Sequence, residues 1–401
     1  MNLKIKRVTF DLVLNIVASS LPTILLQLVI QPLISRHVGI ALYGNILTII
    51  SCLNICIGMF GTPLNNTRLL EDDRYKKKGD FNILLVASFF VSILLQFFFF
   101  FIYEFEFDIF GFILLVSFNI ISIYSAYLSV EFRLIISYKK ILLSKLFLSI
   151  GYFFGLFIFF ISNRWELIFF FGALFELIFI IFKTRIWKEP FVFTPNLKST
   201  IKRFLILIIS TALLLIITYA DRLIIYPAFG SADVSIYYSA TIIGKIVLLA
   251  TNPIGGVMLT YVSKMKEIKK KYFLILLSGI SLLAIVGYIL SCIISGPVIQ
   301  ILYPDCFPFA MNYVYIANAT TMIGLFYSFI WPLVFKFGKK SSPLIITIVR
   351  IFTYLTFSLC FLSSLGLYSV CYGNLISTIV QAFIVILMGF YITRDKKILV
   401  L

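Results

Sequence analysis

KTRIWKEPFVFTPNLKSTIKRF, residues 183–204, is the longest break in an otherwise apolar chain. Pro190 and Pro195 interrupt helices, and Lys188, Glu189, Asn196 and Lys198 are too polar for hydrocarbon, so the stretch reads as a polar linker outside any membrane span. On its N-terminal side, apolar stretches recur at about 8–34, 40–67, 81–103, 109–132, 141–162 and 165–183. On its C-terminal side they recur at about 204–227, 234–262, 273–294, 309–335, 342–362 and 367–392. A spanning helix needs roughly 20 predominantly apolar residues. The chain therefore reads as an all-α integral membrane protein of about twelve transmembrane helices, six on each side of the break. The expected division is 1–183 as an N-terminal six-helix bundle, 184–203 as a cytoplasmic linker, and 204–401 as a C-terminal six-helix bundle. Six is even, so both halves enter from one side, and any internal repeat between the bundles is parallel. Composition agrees: 61% of the 401 residues are hydrophobic and 13% charged, where a soluble domain carries about 25% charged residues.

Cations test this layout independently, because cytoplasmic loops collect Lys and Arg. With the N-terminus inside, 29 of the 34 basic residues fall on the inner side, in clusters at 4–7, 68–78, 133–145, 183–203, 264–271, 336–340 and 394–397. Arg36, Arg164 and Arg222 fall outside, and Lys245 and Arg350 lie within spans. A missed or invented helix would break the alternation, so both termini are expected to be cytoplasmic. The formal charge of +17 then reads as basic membrane edges facing anionic lipid headgroups, and no nucleic-acid partner is expected.

Five of the six cysteines fall in apolar spans and Cys306 stands alone in an outer loop, which suggests neither a metal centre nor a disulfide framework. No glycine-rich phosphate loop is found, so no nucleotide cofactor is expected. Loops are short, and the outer acids Glu104, Glu106, Asp108, Glu166, Asp233 and Asp305 read as solvated loop residues. A membrane polymerase or glycosyltransferase would need a sizeable aqueous loop with functional acids, so that reading is an alternative rather than the expectation.

Polar residues inside spans are the candidate site. A cation at mid-membrane costs about 2.5–3.5 kcal/mol on the insertion scale, so Lys245 and Arg350, near half depth, are expected to face a wet cavity or a partner. Arg222, and Arg36 at the outer end of the first span, extend this substrate-binding set. Asp221 and Glu176 are candidates for ion coupling, since a membrane carboxyl can carry a proton, and equally candidates for pairing with an interior Lys or Arg. Asn15, Gln27 and Asn54 are placed as cavity-lining residues, against the alternative of hydrogen bonds between helices shared with Asn119 and Asn318. Pro22, Pro32, Pro63, Pro253 and Pro332 mark expected kinks.

The stretch Asp221-Arg222-Leu223-Ile224-Ile225 followed by Gly230 and Tyr237, and Leu302-Tyr303-Pro304 leading through Phe309-Ala310 into a span, carry a family resemblance. Gly338-Lys339-Lys340 and Gly366-Leu367-Tyr368-Ser369 continue it. On these residues and the twelve-span layout, the chain resembles the polysaccharide flippases, the Wzx type of O-antigen transporter. These sit within the superfamily that also holds multidrug exporters. The resemblance implies two bundles around a central cavity, open alternately to each side of a bacterial inner membrane. It implies a cargo of undecaprenyl-diphosphate-linked oligosaccharide, ion-gradient coupling, and a polysaccharide polymerase and chain-length regulator as partners. A multidrug exporter is the alternative within the superfamily; it calls for an acidic cavity, whereas the half-depth charges here are basic.

Overall fold

The computed structural model describes residues 20–71, 79–106, 108–248, 267–339 and 342–394, with 251, 258, 262 and 265 between them. Asn15 and Pro253 lie outside the described residues. Every regular element described is helical. In chain order these are α1 (Gln31–Val38), α2 (Ile40–Glu71), α3 (Asp80–Ile102), α4 (Ile109–Leu128), α5 (Val130–Leu134), α6 (Tyr138–Ser162) and α7 (Glu166–Lys183). The second series is α8 (Leu197–Phe229), α9 (Ser231–Ala240), α10 (Lys270–Leu302), α11 (Phe307–Phe337), α12 (Ser342–Cys360), α13 (Leu362–Leu365) and α14 (Leu367–Arg394).

Among the described residues, nine helices are long and apolar enough to cross a membrane. The chain is an all-helical, multi-pass membrane protein. Lipid-facing stripes agree: Phe90, Leu94, Phe97 and Phe101 on α3, and Leu282, Ile285, Ile289 and Ile293 on α10, are exposed at helical spacing.

Three details depart from the sequence reading. The seventh helix starts at Leu197 rather than near 204, because Pro195 and Asn196 open it and Lys198, Lys202 and Arg203 are good helix formers that extend it beyond its apolar part. The eighth span is broken after Ala240, where Thr241 turns its hydroxyl onto the Tyr238 carbonyl at 2.9 Å. The first span contains a π turn, Leu26–Ile30, immediately before α1. Pro32 lacks an N–H and its ring crowds the preceding turn; the wider turn, with Gln31 N–H donating to Leu26 C=O, accommodates it.

The chain forms two compact units, Met1–Ile34 with Asn45–Leu223, and Ser35–Gly44 with Ile224–Leu401. In the first, Phe60, Leu64, Phe81, Leu84, Tyr127 and Phe132 form the core. Gly151 and Gly155 on α6 bring that helix onto the backbone of α7 around Phe171 and Ile168, a small-xxx-small contact in which a Cβ would strike main chain. In the second unit, Phe273, Ile280, Met322, Leu325, Ile330 and Val385 form the core.

One packing device occurs in each unit at the same spacing. Asn119 on α4 donates to Gln96 Oε1 on α3 at 3.1 Å, 23 residues away, and Asn318 on α11 donates to Ser295 Oγ on α10 at 2.9 Å, also 23 residues away. Each pair lies between consecutive antiparallel helices, where a buried amide holds register in hydrocarbon. A second correspondence is at the helix junctions. Gly39, between α1 and α2, has φ +80°, and Gly230, between α8 and α9, has φ +94°. In both, the glycine N–H returns to the carbonyl four residues earlier, at 3.0 Å.

Candidate functional site

In the first unit, α2 and α8 run antiparallel along one stripe. Gly58 receives Leu215, Asn54 is hydrogen-bonded to Tyr219, and Ser51 accepts from Arg222. The positions 51, 54, 58 and 215, 219, 222 are the one-face spacing of a helix. The Arg222 Nη1 to Ser51 Oγ distance is 2.6 Å, and Ser51 passes its own proton to Leu47 C=O at 2.5 Å. The guanidinium carbon stands 5.4 Å from the Tyr219 ring centre. Asp221 turns a carboxylate oxygen to the Arg222 backbone N–H at 2.9 Å. Tyr103 donates to Leu223 C=O at 3.1 Å and closes the cluster. Arg222, Asp221 and Asn54, singled out separately in the sequence, thus share one polar neighbourhood. Ser51 and Tyr219, which complete it, carry no sequence signal beyond being polar in an apolar run.

In the second unit, Tyr43, Tyr238 and Tyr303 are buried against one another, with ring centres 5.8–6.3 Å apart. Tyr43 and Tyr303 hydroxyls lie at 3.4 Å. Lys245 Nζ stands over the Tyr238 ring, 3.4 Å from its centre, a cation–π arrangement. Arg36 donates to the Ile301 carbonyl in the last turn of α10, where a cation also meets the negative end of the helix dipole. Ser235 on α9 donates to Ile40 C=O at 2.7 Å, which fastens the start of α2 to α9. Arg36 and Lys245 therefore flank the tyrosine cluster.

Arg350 sits midway along α12. Protein packs around it, with Tyr327 and Tyr354 as its polar neighbours, yet the side chain is only half-buried. Among the described residues it makes no ion pair and no hydrogen bond. Tyr327 stacks at 5.3 Å on Trp331, so aromatic faces extend from the cation along α11.

Glu176 stands apart from these clusters. It is buried on α7 and receives Lys145 Nζ from α6 at 2.6 Å, the pairing that a membrane carboxylate requires. Gln27 lies within the π turn of the first span and is half-buried.

At the end of the first unit that holds the 103–108 and 163–166 connections, Asp108 caps α4 by accepting from Gly111 N–H at 2.9 Å and pairs with Arg164. The Gly111 N–H first, and then the guanidinium, hold this exposed carboxyl below the usual carboxylate range.

No protein-family model matches the chain, and no curated protein matches its sequence. Solved structures match its fold over nearly its whole length. One is an inward-facing multidrug resistance MATE family transporter of the MOP superfamily, 13% identical, with 95% of this chain and 93% of that one covered and a TM-score of 0.66. A Vibrio cholerae MATE transporter in the bent form is 13% identical, with 98% of each chain covered and a TM-score of 0.61. An outward-facing multidrug resistance MATE family transporter is 15% identical, with 96% of each covered and a TM-score of 0.51. At such identities the likeness is one of architecture, and the chain has the fold of the MATE transporters of the MOP superfamily.

Proposed function

We propose that the chain is an alternating-access membrane exporter whose cargo presents an anionic headgroup. We read the cargo as an undecaprenyl-diphosphate-linked oligosaccharide carried from the cytoplasmic to the periplasmic leaflet of a bacterial inner membrane. Arg350 carries the reading: a half-buried guanidinium, midway along a spanning helix, with no anion paired to it among the described residues. Such a group is retained at a cost unless something negative reaches it, and its planar fork suits a phosphate oxygen pair. Tyr327, Tyr354 and Trp331 beside it offer hydroxyls and ring faces to sugar. Lys245 and Arg222 add positive charge in their own units, and Arg36 borders the Tyr43 cluster. Asp221, which makes a bond to its neighbour's backbone, is the more available coupling carboxylate; Glu176 already holds Lys145. The cation distribution favours cytoplasmic termini, and a polysaccharide polymerase and chain-length regulator remain the partners this reading calls for.

A second reading, a multidrug exporter, is favoured by the fold likeness itself, since two of the structures above are multidrug resistance transporters. Reconstitution in proteoliposomes separates the two. The lipid-diphosphate oligosaccharide should change leaflet in a protein-dependent way, and Arg350→Ala should slow it roughly ten- to hundredfold, the loss of a charge-assisted bond. Export of cationic dyes with no movement of the lipid-linked sugar would install the second reading.

A further inference from the structure

Two carboxylates converge on the start of α4. If Gly111 carried a Cβ, that atom would stand 2.6 Å from Glu166 Oε1 and 2.9 Å from Asp108 Oδ2. The two differ in how well they are arranged to hold negative charge. Asp108 accepts the Gly111 N–H, pairs with Arg164 and keeps half of its side-chain surface exposed. Glu166, the first residue of α7, is 8% exposed, and its Oε2 is buried without a hydrogen-bond donor among the described residues. The charged groups around it are Asp108, on the connection into α4, and Arg164, in the turn before α7, and the arginine is already committed to Asp108. Burial, the largest effect, and the like charge of Asp108 oppose ionisation of Glu166, its own backbone N–H and the Arg164 charge favour it, and the balance holds the carboxyl above the usual range.

We propose that Glu166 is a proton-binding site at this end of the first unit, the end that the distribution of Lys and Arg places outside the cell. It keeps its proton to a higher pH than an exposed carboxyl does and yields it to the outer solution, past the exposed Asp108, as pH rises. Once the proton leaves, two negative charges face each other at the start of α4, so deprotonation adds repulsion at the junction of α4 and α7. The site is separate from the coupling candidates Asp221 and Glu176, and it does not depend on which cargo the chain carries.

Infrared difference spectra of the full-length protein in detergent, taken as pH is raised from the ordinary carboxylate range, test this. Glu166→Gln should remove a protonated-carboxyl absorption that the unsubstituted protein keeps to higher pH than its exposed acids do. Asp108→Asn, which keeps the cap on α4, should let the same absorption titrate away at a pH lower by roughly one unit, because it removes the adjacent negative charge and frees Arg164. Loss of a carboxylate absorption in Glu166→Gln, with the protonated band intact, would overturn the proposal. Were that variant not to fold, an Asp108→Asn titration that fails to shift downward would overturn it equally.

Discussion

Asp108 gathers three roles in one exposed carboxyl: cap, ion-pair partner and neighbour to Glu166. Its lowered folded-state value means that the folded chain binds its proton less readily than the unfolded chain does. Its contribution is therefore complete above the ordinary carboxylate value of about 3.9 and is lost as pH falls below it. The unfolding midpoint of the detergent-solubilised protein should drop on acidification with a slope that Asp108→Asn flattens. A midpoint profile identical in the two proteins would remove the charge from the account. Glu166 has the opposite sign, since a proton held in the folded chain stabilises at low pH and its loss is felt as pH rises. The two groups are thus separable by titration direction. At this scale the sequence is partly legible. Arg222 and Asn54 stand out because charge and amide are costly in hydrocarbon, but Ser51 is visible only once α2 and α8 are set antiparallel. Glu176 shows as a membrane acid, while its partner Lys145 lies 31 residues away on another helix, a separation that no local pattern encodes.

Helix junctions depend on glycine where no other residue takes the conformation. Gly230, at φ +94° and ψ 176°, lies in a region essentially closed to side chains, although nothing would touch its Cβ. Gly230→Ala should destabilise the protein by roughly 1–3 kcal/mol through backbone strain alone. Gly279→Ala, in the interior of α10 with equally empty surroundings, should instead stabilise by up to about 1 kcal/mol through helix propensity. Thermal unfolding of both variants measures the contrast, and a shift of the same sign in both would refute it. Element identity was legible because apolar runs are long and cations punctuate them. The break at Thr241 and the π turn before Pro32 were not, because each depends on where one hydroxyl or one missing N–H falls within a continuous apolar stretch.

Across the whole chain, the stretch read from sequence as a bare linker is fastened to the first unit. Glu189 takes Arg68 through two bonds of 2.7 and 2.8 Å, Thr194 is held by Asp80, and Thr200 and Arg203 both reach Glu71. Arg68 is 1% exposed and also lies 4.7 Å from the Phe81 ring, so this is a desolvated cation whose counter-ion comes from the linker. Glu189→Ala should cost roughly 1.5–3 kcal/mol, the loss of charge-assisted bonds from a buried guanidinium that keeps the Tyr127 hydroxyl, whereas Lys188→Ala, in the same turn, should cost little. Protease susceptibility across residues 186–203 reports the difference, and equal cutting in both variants would show the fastening to be energetically idle. Polar composition marked this segment as extramembrane, but not as bound, since Arg68 and Glu189 are 121 residues apart.

That fastening has a consequence for how the protein is made. Residues 189–203 are synthesised after the helices of the first unit that precede residue 183, so the bonds of Glu189 to Arg68, of Thr194 to Asp80, and of Thr200 and Arg203 to Glu71 are added late. The first unit therefore reaches its settled form only once the connecting stretch has been made, and a nascent chain halted at residue 183 lacks these late bonds when a quality-control protease meets it.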